Sequence, residues 1–366
     1  MPRTSDTGGA APARRRPTLR MVAELAGVST ATVSYVFSGR NGSDGSGVAE
    51  ETARRVAEAA EQLNYRPNRA ARAIRTGRSG MVQLSLHMLS DPWSLAVAAA
   101  VNDEANRYGL TTLILADGDW HTALDRVESD VAYLDGAGDD EAAQRKLADL
   151  VDRGQRLVVF SETLDPAGFD VIRSRAYPGC ELAMEHLLER HVAIGCLSSR
   201  GAVAAAERGE ASRYTAYLER LRAHGIEPDV EWTATFDETS ASAFEAAVEL
   251  LSLDRPPTAI YATTDFAGIA AINAAHMLGL RVPHDVAIVG VGNTPAARTV
   301  TPSLTTVGPS DDFYRRQAEI IVGRATDDGS ALGVVHEFPW TLVPGTSTDL
   351  DSPPQRHHLS SPHHHR

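Results

Sequence analysis

Short apolar runs alternate with amphipathic helical stretches over most of the chain, from Gly80 to about Pro344. The apolar runs have the length of buried strands, and the stretches between them have the periodicity of helices packed on one face. The predicted strands are 82–86, 112–115, 131–134, 157–160, 192–197, 259–261 and 286–291, and the predicted helices are 95–108, 142–153, 181–189, 213–224, 240–251 and 266–278. Strands that alternate with helices form parallel sheets, so the pattern predicts an α/β fold.

These repeated units contain more residues than one small sheet holds. We therefore expect two parallel-sheet subdomains within residues 80–348, with a ligand in the crevice that the carboxyl ends of the strands face. A polar tail, 1–16, a helical segment, 17–66, and an Arg- and Ala-rich connector, 67–79, precede this domain. A Pro-, Ser- and His-rich tail, 349–366, follows it. We expect both tails to be disordered, and the histidines of the second to form no specific metal site.

The helical segment 17–66 has the pattern of three short helices, an all-α arrangement. Thr18 is a good N-cap for the first helix, Gly27 suits a left-handed C-cap, and Ser29 caps the second. The third helix is predicted from Glu50 to Leu63. The expected core positions are Leu19, Val22, Ala23, Ala26, Val28, Val33, Val36, Phe37, Val56, Ala60 and Leu63, and the expected outward positions of the second helix are Thr30, Ala31, Ser34 and Tyr35. This pattern indicates a helix-turn-helix, whose second helix can enter the major groove of DNA. An ordinary helical hairpin is the alternative.

The basic residues are concentrated around this helical segment. The chain has a net charge of −13, yet residues 1–80 contain 13 Arg against 7 Asp or Glu, which leaves −19 for residues 81–366. A basic head on an acidic body indicates that the head binds nucleic acid.

Composition and motifs exclude several other classes of protein. No apolar run approaches the roughly 18 residues of a membrane span, and the N-terminus lacks the apolar region of a secretory signal. The two cysteines, Cys180 and Cys196, have neither metal-binding nor redox spacing. The chain contains no nucleophile elbow, P-loop or dinucleotide fingerprint. We therefore expect a cytoplasmic protein that is not an enzyme and that uses no metal or cofactor.

The chain resembles LacI/GalR-type transcriptional regulators in two segments. They are Val22-Ala-Glu-Leu-Ala-Gly-Val-Ser-Thr-Ala-Thr-Val-Ser34, which is similar to the headpiece, and Leu63-Asn-Tyr-Arg-Pro-Asn-Arg-Ala-Ala-Arg-Ala-Ile74, which is similar to the hinge. The resemblance is close over residues 17–79 and continues more loosely to about Thr348, where the body resembles the periplasmic-binding-protein-like effector domain of that family. It implies a homodimeric repressor that binds a pseudo-palindromic DNA operator and responds to a small-molecule effector.

The resemblance also implies which headpiece side chains contact DNA. Those implied to contact bases are Thr30, Ala31, Tyr35 and, as an apolar wedge in the minor groove, Ile74. Those implied to hold phosphates are Thr18, Ser29, Thr32, Ser34, Thr52, Tyr65, Asn68 and Arg69. The family usually has Arg at the position of Tyr35, so one hydroxyl and an apolar ring replace a group suited to bidentate contact with guanine. The Gly- and Ser-rich stretch from Arg40 to Gly47 is an insertion that we expect to form a solvent loop.

An effector site in the body is implied in the same way. Its residues are Asp91, Trp93, Ser161, Arg213 and Asp265. Trp93 is placed to stack on a ligand ring. The planar guanidinium of Arg213 and the acceptor-only carboxylate of Asp265, across a closing cleft, suit a polyhydroxylated ligand.

Several body segments depart from the family pattern. Arg175-Ala176 replaces the usual Asp-Asn, Gly290-Val-Gly-Asn293 lacks the usual acidic pair, Gly345 replaces an Arg, and Ser161-Glu162 stands where Asp is frequent. A regulator controlled by a protein partner or by no ligand is therefore an alternative to control by a small molecule. A solute-binding receptor with the same body fold is an alternative of another class, which the basic head disfavours.

Overall fold

The computed structural model describes residues 17–37, 48–66, 73, 77–116, 119–237, 239–327 and 332–351. Backbone contacts divide the chain into two units, Met1–Ser79 and Gly80–Arg366. Both predicted tails up to residue 16 and beyond residue 351, the stretch 40–47 and most of the connector 67–79 lie outside the described residues. In the part of the chain that is described, no helix is long and apolar enough to cross a membrane.

The first unit contains three helices, α1 (Leu19–Ala26), α2 (Thr30–Phe37) and α3 (Glu50–Gln62). Thr18 caps α1 by accepting a hydrogen bond from the amide of Met21, and Gly27 ends α1 in the left-handed conformation, with φ 64°. Both caps confirm the sequence prediction. The core that joins the three helices consists of Val22, Ala23, Ala26, Val33, Val56, Ala59 and Ala60, with Leu19, Val28, Val36, Phe37, Leu63 and Tyr65 packed against it.

The second helix is less exposed than its sequence pattern indicates. Thr30 and Ala31 are exposed, as expected. Ser34 and Tyr35 are half-buried instead of fully outward, because α2 has only eight residues and its second turn lies against the small core of the unit.

The second unit contains two lobes, each built on a six-stranded sheet. The N-lobe strands are β1 (Met81–Leu86), β2 (Thr111–Ala116), β3 (Val131–Asp135), β4 (Leu157–Phe160), β5 (Asp170–Ser174) and β11 (Val335–Phe338). They are all parallel, in the order β11-β5-β4-β3-β1-β2. The N-lobe helices are α4 (Pro92–Arg107), α5 (Trp120–Leu124), α6 (Glu141–Asp152) and α13 (Phe313–Thr326).

The C-lobe repeats this arrangement. Its strands are β6 (Ile194–Ser199), β7 (Thr233–Phe236), β8 (Ala259–Ala262), β9 (Ala287–Val291), β10 (Thr305–Gly308) and β12 (Thr341–Val343). The order is β12-β10-β9-β8-β6-β7, and only β12 is antiparallel to its neighbour. The helices are α7 (Ala176–Leu188), α8 (Arg200–Glu207), α9 (Arg213–Ala223), α10 (Ser240–Leu251), α11 (Asp265–Met277) and α12 (Pro295–Thr299), and a 3₁₀ turn covers Val230–Trp232.

The chain passes between the two lobes three times. The connections lie between β5 and α7, between β10 and α13, and between β11 and β12. The helix that follows each of the first two crossings packs in the lobe that the chain has just entered. Thus α7 contributes Cys180 and Met184 to the C-lobe core, and α13 contributes Phe313 and Ile321 to the N-lobe core. Each lobe therefore contains segments from distant parts of the sequence.

The sequence pattern identified the strands whose sequences are strongly apolar and missed those with polar residues. The strand Leu157–Phe160 and the helix Ser240–Leu251 have the predicted bounds, and the other predicted elements are confirmed with small shifts at their ends. The pattern of apolar runs did not predict the helices α5, α8, α12 and α13 or the strands β5, β7, β10, β11 and β12. Strands such as β5, with the sequence Asp-Val-Ile-Arg-Ser, carry no clear periodicity and form because neighbouring strands supply hydrogen-bond partners.

A buried carboxylate fastens the edge of the N-lobe sheet. Asp170, on β5, is 0% exposed and accepts hydrogen bonds from Arg324 Nε at 2.5 Å and from the amides of Gly333 and Val334, both at 3.0 Å. Burial by itself acts to raise the pKa of Asp170, but hydrogen bonds from His336, Arg324 and Val334 outweigh it and lower the pKa to about 2. This carboxylate therefore ties α13 and β11 to the central sheet.

We expect Asp170→Asn to lower the free energy of unfolding by on the order of 3 kcal/mol, because the buried carboxylate that accepts hydrogen bonds from Arg324 and from the amides of Gly333 and Val334 loses its charge. Since the folded-state pKa lies below the unfolded one, the wild-type contribution is complete above about pH 4 and is lost as the pH falls toward 2. Urea unfolding from pH 3 to 7 measures both effects. Glu319→Gln, which breaks an exposed pair with Arg315 on the same helix α13, is the control and should change stability by less than about 0.5 kcal/mol. Equal losses in the two variants would contradict this account.

Candidate nucleic-acid interface and ligand cleft

The amino end of α2 is organised by one hydroxyl. Ser29 Oγ accepts a hydrogen bond from the amide of Thr32 at 3.1 Å and lies 2.9 Å from Thr32 Oγ1. The left-handed Gly27 directs the chain from α1 into this cap, and Val33, 0% exposed, anchors the first turn in the core. The end of the helix therefore has a defined position, with Thr30 and Ala31 exposed on it.

The other headpiece residues implied to contact DNA lie on the elements that flank α2. Thr18 is exposed and caps α1, whereas Thr52 is half-buried on α3. The ring of Tyr65 lies 5.9 Å from that of Phe37, so α2 and the segment after α3 are packed together. Asn68, Arg69 and Ile74 lie outside the described residues. The roles of all these residues in contacting DNA stay predictions.

In the second unit, the two sheets turn their carboxyl edges toward one another, and the space between them is the cleft. Trp93, at the start of α4, lies at its centre. Its ring centroid is 5.1 Å from that of Phe313, 5.3 Å from Tyr314, 5.6 Å from Phe160 and 6.3 Å from Trp340. Phe160 belongs to β4, Phe313 and Tyr314 begin α13 directly after the second crossing, and Trp340 lies in the third crossing. Trp93 therefore contacts the N-lobe and a segment that joins the lobes.

Arg213 forms part of the opposite wall. It begins α9, and its Nη1 donates a hydrogen bond to the carbonyl of Thr263 at 2.9 Å. Its guanidinium carbon lies 5.5 Å from the centre of the Trp340 ring, a cation–π arrangement. This places Arg213 beside the aromatic cluster, as expected for a side chain that faces a ligand.

Acidic side chains line the N-lobe wall. Asp91 Oδ1 accepts from the amide of Trp93 at 3.0 Å and so caps α4. Asp135, which ends β3, is paired across the sheet with Phe160 of β4. Glu162 follows β4 by two residues and accepts from Ser174 Oγ at 3.3 Å. Because neighbouring parallel strands end at one edge, three carboxylates share this wall.

Burial acts on these carboxylates in one direction. It raises the pKa of Asp91 and of Glu162, and it raises the pKa of Asp135 to about 6, although the positive charge of Arg213 opposes the shift in each case. His87 also acts on Asp91 and Asp135 in the opposing sense. The chain therefore holds carboxylates in a place that disfavours their charge, which is a common property of binding sites.

Two of the implied effector residues are occupied by contacts within the chain. Ser161 Oγ accepts hydrogen bonds from the amides of Thr163 and Leu164, at 3.2 and 3.0 Å, and so closes a turn. Asp265 is 1% exposed, and its carboxylate accepts from the amide of Thr294 at 2.6 Å and from Thr306 Oγ1 at 2.5 Å.

Gly290, at the start of the segment 290–293 that departs from the family pattern, leaves room for the carboxylate of Asp265. A Cβ on Gly290 would lie 2.6 Å from Asp265 Oδ1, so a side chain there would displace the carboxylate. The same segment lacks the acidic pair that the family usually has, and its Thr294 amide donates a hydrogen bond to Asp265. Effector contact by Ser161 and Asp265 stays a prediction and requires these bonds to change.

Sequence reasoning missed Asp135, Tyr314 and Trp340 as cleft residues. Asp135 had a recognisable signal, since it is a polar residue directly after an apolar strand, at the edge where ligands bind. Tyr314 and Trp340 had none, because they reach the cleft through the second and third crossings. Within the described ranges, no group of three or more His, Cys, Asp or Glu side chains is arranged to hold a metal ion.

Comparison with known families gives two matches. Residues 18–68 match the model described as "Bacterial regulatory proteins, lacI family", and residues 184–348 match the periplasmic binding protein-like domain. Among curated relatives, the HTH-type transcriptional repressor PurR of Edwardsiella ictaluri is 32% identical over 333 residues, which cover 88% of this chain and 94% of the relative. The repressor of the same name from Serratia proteamaculans is 32% identical over 79% of this chain and 84% of its own length.

Solved structures with the same architecture include regulators in complex with small molecules. A complex of the transcriptional regulator CelR with cellobiose has 26% identity, a TM-score of 0.58, and coverage of 91% of this chain and 100% of that one. The Lac repressor bound to ONPG in its repressed state has 24% identity and a TM-score of 0.70, with 91% and 100% coverage. The second likeness concerns the fold.

We expect Asp135→Asn to stabilise the protein at pH 7 by roughly 1–2 kcal/mol, because it removes a charge that burial disfavours. The folded-state pKa of about 6 lies above the unfolded value, so the wild-type protein gains stability as the pH falls from 7 toward 4. The advantage of the variant should shrink over that range. Melting temperatures at pH 4.5 and 7 test this, with Asp103→Asn on the exposed face of α4 as the control. A destabilised Asp135→Asn at pH 7 would refute the electrostatic argument.

Proposed function

Because this chain belongs to the lacI family of bacterial regulatory proteins, we propose that it is a homodimeric transcriptional repressor that binds a pseudo-palindromic operator and responds to a small molecule in the interlobe cleft. The observation that carries DNA binding is the capped amino end of α2, which exposes Thr30 and Ala31. A rigid helix end with small exposed side chains fits the major groove closely. The basic charge of residues 1–80 supplies attraction to phosphates.

Base recognition in this headpiece depends on apolar contact more than on charge. Thr30, Ala31 and Tyr35 offer methyl groups, an aromatic ring and hydroxyls, and none of them is cationic. Such groups suit the methyl group of thymine and single hydrogen bonds to base edges. Ser29 and Thr32 are mutually bonded at the helix start, where hydroxyl and amide donors hold phosphates and fix the register.

Dimer formation is supported by uncovered apolar side chains on the N-lobe. The edge strand β2 exposes Leu113 by 38% and Ile114 by 43%, and these consecutive residues point to opposite faces of the sheet. Leu95 on α4 is 52% exposed, and Leu89 just before that helix is 40% exposed. An apolar sheet edge left open to water invites pairing with another chain, and a second copy of this lobe covers it.

Control by a small molecule follows from the three crossings. A ligand that contacts both walls of the cleft favours the lobe arrangement in which those contacts form. It alters operator affinity only if that arrangement also changes the relative position of the two headpieces in the dimer, since equal affinity for both states shifts nothing.

The DNA-binding proposal is tested by selecting binding sites from random duplex DNA with the full chain. We expect enrichment of one pseudo-palindrome. Tyr35→Ala should relax the preference at one base pair in each half-site, at a cost of about 1–3 kcal/mol measured by fluorescence anisotropy. Tyr108→Ala, the same truncation of an exposed tyrosine in the second unit, should leave the preference unchanged. No enriched sequence at moderate salt would overturn the proposal.

The dimer proposal is tested with Ile114→Asp. A charge on the edge strand should convert the dimer into monomers in sedimentation velocity, because burying an unpaired carboxylate opposes association. Val230→Asp is the matched control, since Val230 is 87% exposed and lies just before β7 in the C-lobe, whereas β2 belongs to the sheet of the N-lobe. Dimers that persist in Ile114→Asp, or that dissociate equally in both variants, would place the interface elsewhere.

A further inference from the structure

The N-lobe wall of the cleft carries more negative charge than the protein neutralises. Asp91, Asp135 and Glu162 follow three strands of one sheet, and Arg213 faces them from the other lobe. His87, which lies against Gly136, is the other basic side chain that acts on Asp91 and Asp135. Among the described residues of this wall, the three carboxylates outnumber the two basic groups, Arg213 and His87.

Asp135 is the carboxylate with the fewest contacts. Asp91 is engaged with the amide of Trp93, and Glu162 with Ser174. Among the described residues, no donor lies within hydrogen-bond distance of the Asp135 carboxylate. Asp135 is half-buried, so its contact with water is limited as well. A carboxylate in this position is ready to accept from a charged donor that enters the cleft.

The opposite wall has donors that lack an acceptor. Trp340 is 6% exposed, and its indole Nε1 has no hydrogen-bond partner within the described part of the chain. The Trp340 ring lies against both Trp93 and the guanidinium of Arg213, which places it between the lobes. The guanidinium of Arg213 donates to the Thr263 carbonyl through Nη1, and no carboxylate oxygen of the described residues lies within ion-pair distance of it. A buried donor without an acceptor is costly, and a ligand oxygen removes that cost.

We propose that the cleft ligand is an amino sugar, a molecule that carries a protonated amine together with hydroxyl groups. The ammonium group binds to Asp135, with Asp91 and Glu162 adding negative potential. Hydroxyl oxygens accept hydrogen bonds from Arg213 and from Trp340 Nε1. The aromatic cluster around Trp93 supplies a surface for the C–H faces of the sugar ring and a cation–π contact for the amine. A neutral sugar leaves the acidic wall uncompensated, and an amine without hydroxyls leaves the donors unsatisfied.

This inference rests on the proposed small-molecule control, and it is tested by calorimetry on the full chain. The probes are glucosamine, galactosamine and mannosamine, each compared at pH 6.5 with its parent hexose and its N-acetyl derivative. We expect at least one amino sugar to bind about tenfold or more tightly than both neutral forms, the effect of one charge-assisted hydrogen bond. Neutral hexoses that bind as tightly as all three amino sugars, or no binding by any of them, would overturn the inference.

The variant Asp135→Asn tests whether the carboxylate of Asp135 is the group that recognises the protonated amine. The substitution keeps the shape of the side chain, so affinity for the amino sugar should fall about tenfold or more, and the preference for the amino sugar over its parent hexose should be lost. Asp103→Asn removes the same charge from an exposed face and should change neither affinity. Equal losses in both variants would overturn the role of Asp135.

The DNA selection described above separates this inference from the proposed function. If one pseudo-palindrome is enriched but no amino sugar is preferred, the regulator stands and the ligand class is wrong. If an amino sugar is preferred but no DNA sequence is enriched, the ligand class stands and the regulator is wrong.

Discussion

The three passages of the chain between the lobes determine how every part of the cleft is arranged. Parallel strands end at one edge of their sheet, and here the connecting segments run from those edges into the other lobe. Both walls of the cleft therefore consist of strand ends, helix starts and crossing segments, which have side chains free to face inward. Trp93 contacts the rings of Phe313 and Tyr314, which directly follow the second crossing, and that of Trp340 in the third crossing. A change in the lobe arrangement therefore alters its surroundings directly.

The structure distinguishes carboxylates that stabilise the fold from those that oppose it. Asp170 is held by a guanidinium and two backbone amides, so its charge strengthens the N-lobe. Asp135 has no such donors, and burial raises its pKa to about 6. Groups that reduce stability in this way are typical of sites kept for binding, where a ligand supplies the missing interaction. Asp265 belongs with Asp135, because burial raises its pKa to about 6 although two donors, the Thr294 amide and Thr306 Oγ1, hydrogen-bond its carboxylate.

The helical unit differs from the second unit in having a small core. Its core is built largely from alanine and valine, which allow three short helices to approach closely. A core this small contributes limited stability, so the caps at Thr18, Gly27 and Ser29 matter more than they would in a larger domain. The same caps set the direction of α2, and thus the stability of this unit and its proposed recognition of DNA depend on the same residues.

The sequence by itself determined the class of the fold, the helix-turn-helix with its caps, and three side chains of the cleft, Asp91, Trp93 and Arg213. These features depend on neighbours a few residues apart, as when Asp91 caps the helix that carries Trp93. Tertiary structure alone decided that Tyr314 and Trp340 join the same cleft, because they arrive from segments more than two hundred residues after Trp93. It also decided that Asp265 binds its own chain, since the space left by Gly290 and the amide of Thr294 become its neighbours only when β9 packs beside α11. Local periodicity records which residues are buried, whereas contacts between distant segments depend on which strands pair.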